Sequence, residues 1–116
     1  MDCKVVFHLD WNDRDRMIMA LNNISNLLKD PFGENGVVRL LANGQAVRLF
    51  ERSAASAYAE KVAELRERGV GFLMCNNSLK GLGLLPSELI EGCEVVPAGI
   101  VELIRLQQQG FAYVKP

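Results

Sequence analysis

The sequence predicts one α/β domain, and three observations carry that expectation. Five short β-branched or aromatic runs alternate with helix-period or mixed stretches. Glycine stands before three of those runs, at Arg68-Gly69-Val70, Glu91-Gly92-Cys93 and Gln109-Gly110-Phe111, where it accepts the left-handed conformation that closes a helix. At 116 residues the chain has the usual size of one domain, so residues 1–116 are expected to bury a single core.

The first strand is expected over Lys4 to Leu9, where Val5-Val6-Phe7 is apolar without strict alternation, as in a parallel sheet covered on both faces. Asn12 or Asp13 then caps a helix whose Met17, Leu21, Ile24 and Leu28 share one face. Pro31, Gly33 and Gly36 mark the loop that leads into the second strand, Val37 to Ala42, in which Arg39 signals a less buried position. From Ala54 to Arg68 a peripheral helix is expected, with Tyr58, Val62 and Leu65 inward and a charged opposite face. The third strand, Val70 to Cys75, precedes Asn76, Asn77 and Ser78, good N-cap types for a short helical segment from Leu79 to Leu82. Glu94 to Val96 and Phe111 to Val114 supply the last two strands. Between them a helix over about Ala98 to Gln109 carries Ile100, Val101, Leu103, Ile104 and Leu106, more apolar surface than one sheet-facing stripe requires. The surplus suits a subunit interface.

Composition narrows the function. Apolar residues make up 49% and charged residues 23%, the balance of a folded globular chain. With 13 Lys and Arg against 14 Asp and Glu, the net charge of -1 gives no pull toward nucleic acid or anionic lipid. No apolar run approaches the roughly 20 residues of a membrane span, and the start lacks the pattern of a signal peptide, so a cytoplasmic location is expected. Three widely spaced cysteines, Cys3, Cys75 and Cys93, fit neither a disulfide framework nor a CxxC pair, and read as thiols. Nucleotide-loop, nucleophile-elbow and HExxH motifs are absent.

In a parallel α/β sheet, ligands gather outside the carboxyl ends of the strands. The residues expected there are His8 and Asp10, Asn43 and Gly44, Cys75 with Asn76, Asn77 and Ser78, and Pro97. Cys75 is the sharpest candidate. A cysteine at a helix N-terminus has its thiolate favoured by free N–H groups, and the same donors suit the outer sulfur of a persulfide; Lys80, if it folds back, adds positive charge. The plain alternative is a buried cysteine acting as a small hydrophobe. Cys3 and Cys93, at strand starts on the opposite rim, read as structural. His8 is expected in the pocket, either tuning Cys75 or donating to an anion. Trp11 covers the rim or packs over the first helix. His8, Asp10 and Cys75 lack the spacing of a zinc site, and no metal or cofactor is expected.

The runs Cys75-Asn76-Asn77-Ser78-Leu79-Lys80, Gly83-Leu84 and Val95-Val96-Pro97-Ala98-Gly99-Ile100-Val101-Glu102-Leu103-Ile104 resemble the DsrE-like sulfur-relay family, in its small stand-alone members. The resemblance extends to Val5-Val6-Phe7-His8-Leu9-Asp10 at the start and Gln109-Gly110-Phe111-Ala112-Tyr113-Val114-Lys115-Pro116 at the close. It implies a three-layer α/β/α sandwich with a five-stranded parallel sheet, assembled as homotrimers or homohexamers. It also implies that Cys75 accepts a persulfide and passes it between donor and acceptor proteins, the work of a sulfurtransferase. The competing expectation is a non-catalytic homo-oligomeric module that holds a small anion or nucleotide on the same rim, through Asn43, Gly44 and Pro97.

Overall fold

A computed structural model describes residues 2–116 and shows five parallel strands. They are β1 (Lys4–Leu9), β2 (Val37–Ala42), β3 (Gly71–Cys75), β4 (Cys93–Val96) and β5 (Ala112–Val114), in the spatial order β4-β3-β2-β1-β5. β1 runs beside β2 from Lys4 opposite Val37 to Leu9 opposite Ala42, and beside β5 with Val6 opposite Tyr113. β3 joins β2 with Leu40 opposite Phe72, and β4 with Cys75 opposite Val96. The four α-helices are α1 (Arg14–Lys29), α2 (Ala59–Glu67), α3 (Asn76–Leu82) and α4 (Gly99–Gln108).

Alternation along the strands sorts side chains between two unequal cores. Val5, Phe7 and Leu9 of β1 join Val38 and Leu40 of β2, Phe72 and Met74 of β3, and Met17, Leu21, Ile24 and Leu28 of α1 in the larger one, which Val62 and Leu65 of α2 complete. On the other face Val6, Leu41 and Leu73 meet Leu103 and Leu106 of α4. α1, α2 and, through Leu79, the short α3 therefore cover one side of the sheet and α4 alone covers the other, which is the α/β/α sandwich. Asp13 caps α1 by accepting the Arg16 N–H at 3.2 Å. Gly69, Gly92 and Gly110 hold φ of 93°, 92° and 93°, so the glycine punctuation of the sequence is backbone necessity. No helix among the described residues is long and apolar enough to cross a membrane.

The structure corrects the sequence reading at four places. α2 starts at Ala59 instead of Ala54, because Tyr58 is buried with its hydroxyl donating to the Leu49 carbonyl, which holds it in a non-helical conformation. Leu49 belongs to a 3-10 helix, Gly44–Phe50, that the sequence did not announce. α3 starts at Asn76, so Asn76, Asn77 and Ser78 form its first turn and Cys75 itself is the N-cap residue. Gly92 follows a turn beyond a short 3-10 helix, Pro86–Glu88, and closes no α-helix.

Candidate functional site

β1, β2 and β3 end side by side, and their last or next residues build the site. The pleat that sends Phe7 and Leu9 toward α1 sends His8 to the α4 side, where it is 8% exposed. Its Nδ1 lies 2.5 Å from the Tyr113 hydroxyl of β5 and its Nε2 lies 2.8 Å from Asn43 Oδ1, just past β2. With Asn43 Oδ1 as acceptor, Nε2 carries the proton and Nδ1 accepts from Tyr113. Both ring nitrogens are occupied. This fixed ring adjoins a crowded junction at the start of α4. A Cβ placed on Gly99 falls 3.1 Å from Asn43 Cβ, 3.2 Å from Cys75 Cβ and 3.2 Å from Leu41 Cδ2, so glycine alone lets α4 begin against both rim residues.

Cys75 is 5% exposed. Burial pushes its thiol up, but four donors outweigh that effect: the Ser78 hydroxyl and the backbone N–H groups of Gly99, Ser78 and Asn77. The net result is a thiol held below its ordinary value. Ser78 is oriented for this task because its Oγ accepts the Gly44 N–H at 2.7 Å, which leaves the hydroxyl proton for the sulfur. Cys93 shows the opposite balance: burial, only partly offset by the Arg66 guanidinium, pushes its thiol up to about 12. Of the free cysteines, Cys75 is thus held toward its thiolate and Cys93 away from it.

Most of the residues expected on the rim do meet there, with different duties. Asp10 pairs with Lys115 at 2.8 Å, and that hydrogen bond leads the effects that hold its carboxyl below the usual carboxylate range, against desolvation. Gly44 acts through its N–H on Ser78, and Asn77 through its N–H on Cys75. Asn76 opens α3 beside Cys75. Lys80 and Pro97 are exposed, and Lys80 is not among the groups acting on Cys75; neutral donors do the work expected of its charge. His8 likewise does not act on Cys75. Among the described residues His8, Asp10 and Cys75 are not gathered into a group that could hold a metal ion, and the imidazole is shared between Tyr113 and Asn43. Asp10, Trp11, Gly44, Ser78 and Gly81 line a cavity of about 420 Å³ at this rim, with Trp11 exposed.

Sequence reasoning missed Tyr113 and Lys115, which reach His8 and Asp10 across 105 positions of chain. The only available signal was that Tyr113 interrupts the apolar run of the last strand with a polar tip. Gly99 stands in the run that carries the family resemblance, but no local signal marks its N–H as a donor to sulfur.

A profile described as the DsrE/DsrF-like family matches residues 11–116. The chain belongs to that family. Among solved structures, it is similar to a protein of unknown function, MTH1491, from Methanobacterium thermoautotrophicum, with 35% identity, a TM-score of 0.90 and coverage of 99% of this chain and 100% of that one. It also shares its fold with the ychN protein from E. coli, at 18% identity, a TM-score of 0.81 and coverage of 98% and 99%. No curated protein matches it. The sheet order and helix layers of this DsrE/DsrF-like chain thus stand beside two solved examples of the same architecture.

Proposed function

We propose that this DsrE/DsrF-like protein is a sulfur carrier that holds a persulfide on Cys75 and hands it to a partner thiol. What carries the reading is the placement of Cys75, at the end of β3 as the N-cap residue of α3, where Ser78 and the nearby N–H groups hold its thiol down while burial pushes Cys93 up. In the loading step the Cys75 thiolate attacks the outer sulfur of a donor persulfide. A bond forms between Sγ and that sulfur, the donor S–S bond breaks, and the donor leaves as its thiolate. No net oxidation or reduction occurs. The outer sulfur on Cys75 is then anionic at neutral pH, and the N–H groups of Gly99, Asn77 and Ser78 supply hydrogen bonds for the loaded group. Unloading repeats the exchange with an acceptor thiolate as nucleophile and Cys75 as leaving group. A thiol of lowered pKa is the better leaving group, so the donors also favour release.

Support for self-association comes from α4, whose Ile100, Val101 and Ile104 stay exposed while Leu103 and Leu106 face the sheet. We propose that this face joins copies of the chain in a trimer or hexamer, bringing Cys75 close to a subunit junction. Sulfur donor and acceptor proteins would then approach the assembled rim.

The test is intact-protein mass spectrometry after incubation with a persulfide donor, on the wild type, Cys75→Ser and Cys93→Ser. The expected result is a gain equal to one sulfur atom in the wild type and in Cys93→Ser, and none in Cys75→Ser. Equal loading of Cys75→Ser ends the carrier reading.

A further inference from the structure

A second polar site lies at the opposite rim, where β3 and β4 begin. Gly69, Val70, Gly71, Gly92, Cys93 and Glu94 form a cavity of about 360 Å³, into which Arg39 of β2 and Arg66 of α2 also reach. Both guanidinium groups rest on glycines. A Cβ on Gly71 falls 2.7 Å from Arg39 Cδ, and a Cβ on Gly92 falls 1.8 Å from Arg66 Cζ, so any side chain at either glycine would displace the arginine. Each arginine keeps one bond to a backbone carbonyl: Arg39 Nη1 to Val38 at 3.1 Å and Arg66 Nη1 to Glu91 at 3.5 Å. Neither has a carboxylate within ion-pair distance among the described residues, whereas Arg16, Arg48 and Arg105 do. A guanidinium offers five donors, so most of those on Arg39 and Arg66 are unspent.

We infer that this cavity binds the phosphate group of a small metabolite, held between the forks of Arg39 and Arg66. Paired guanidiniums match the oxygens of a phosphate in both charge and geometry. The cavity is larger than phosphate alone needs, which leaves room for a small organic body. Glu94 on the wall carries the one opposing charge and limits affinity. Gly71 and Cys75 are the two ends of β3, so the sites are separated by about four strand steps, or about 13 Å. The ligand therefore occupies a place distinct from the thiol and independent of sulfur transfer.

Calorimetric titration with inorganic phosphate at low ionic strength tests the inference. Saturable binding is expected in the wild type and unchanged in Cys75→Ser, which separates this site from the carrier reading. Arg39→Gln and Arg66→Gln should each weaken binding about tenfold or more, the worth of a charge-assisted hydrogen bond. Arg48→Gln, remote from the cavity and paired with Glu51, should leave it unchanged, and Glu94→Gln should tighten it. Arg66 stands on the exposed surface of α2, so its variant keeps the test valid if Arg39→Gln disturbs the sheet. No saturable binding in the wild type at millimolar phosphate, or an equal loss in Arg48→Gln, overturns the inference.

Discussion

At the scale of single residues, the chemistry of this chain is decided by which thiol receives donors. Ser78 is a relay: it accepts from Gly44 and donates to Cys75. Ser78→Ala deletes the first of the groups that lower the Cys75 thiol, and should move the midpoint of its alkylation against pH upward, as expected for the loss of a hydrogen bond to an ionised group. An unmoved midpoint in a folded variant would show that Ser78 is idle. Cys93 yields a second expectation, of opposite sign. Its folded value is raised to about 12, so the fold favours the neutral thiol. That contribution is complete below the unfolded value of about 8.5 and is lost as pH rises toward about 12. Wild-type protein should accordingly lose more stability than Cys93→Ala between about pH 8 and about pH 10, read from urea midpoints. Parallel losses in the two proteins would mean that Cys93 ionises as freely folded as unfolded.

At the scale of elements, the critical contact is where α4 begins on the ends of β2 and β3. Gly99→Ala inserts a methyl that meets Asn43, Cys75 and Leu41 at 3.1 to 3.2 Å, so these side chains or the helix start must give by a few tenths of an ångström. Overpacking of this kind costs about 1–3 kcal/mol, and a shift of the helix start also moves the Gly99 N–H away from the sulfur. Where the helix start is what gives, a lower Tm should be accompanied by slower alkylation of Cys75 at neutral pH; a lower Tm with unchanged reactivity would confine Gly99 to packing. Regular elements such as these were largely visible in the sequence. β1 and β2 follow the apolar runs to the residue, and α1 follows the Met17 to Leu28 stripe behind Asp13. Where reading failed, a tertiary bond outranked local pattern: Tyr58 reads as helical by spacing until its hydroxyl is tied to Leu49. The site was legible in the same uneven way. Cys75, Ser78 and Asn43 could be placed from strand ends alone. Tyr113 could not be assigned to His8, because that pairing depends on β5 lying beside β1, a return across the whole sheet that no local signal encodes.

At the scale of the whole molecule, the unequal covering of the sheet decides what remains to be buried. α4 alone spans its side, and its outer residues Ile100 and Ile104 are 62% and 50% exposed, with Tyr113 of β5 also exposed. A net charge of -1 offers little repulsion between copies that would keep such a face apart. The α4 face is therefore expected to close a homo-oligomer, and light scattering should give the wild type a mass several times the 12.9 kDa chain. Ile100→Glu with Ile104→Glu places two charges on that face without touching Leu103 or Leu106, so the fold should persist while the mass falls to one chain. Ile100 directly follows Gly99, whose N–H acts on Cys75, so the dissociated variant should also alkylate Cys75 faster than the assembly does. A wild type that runs as a single chain removes the subunit junction from the proposal, and leaves Cys75 to exchange sulfur on an isolated domain. A monomeric variant with unchanged alkylation would instead place the junction away from the thiol.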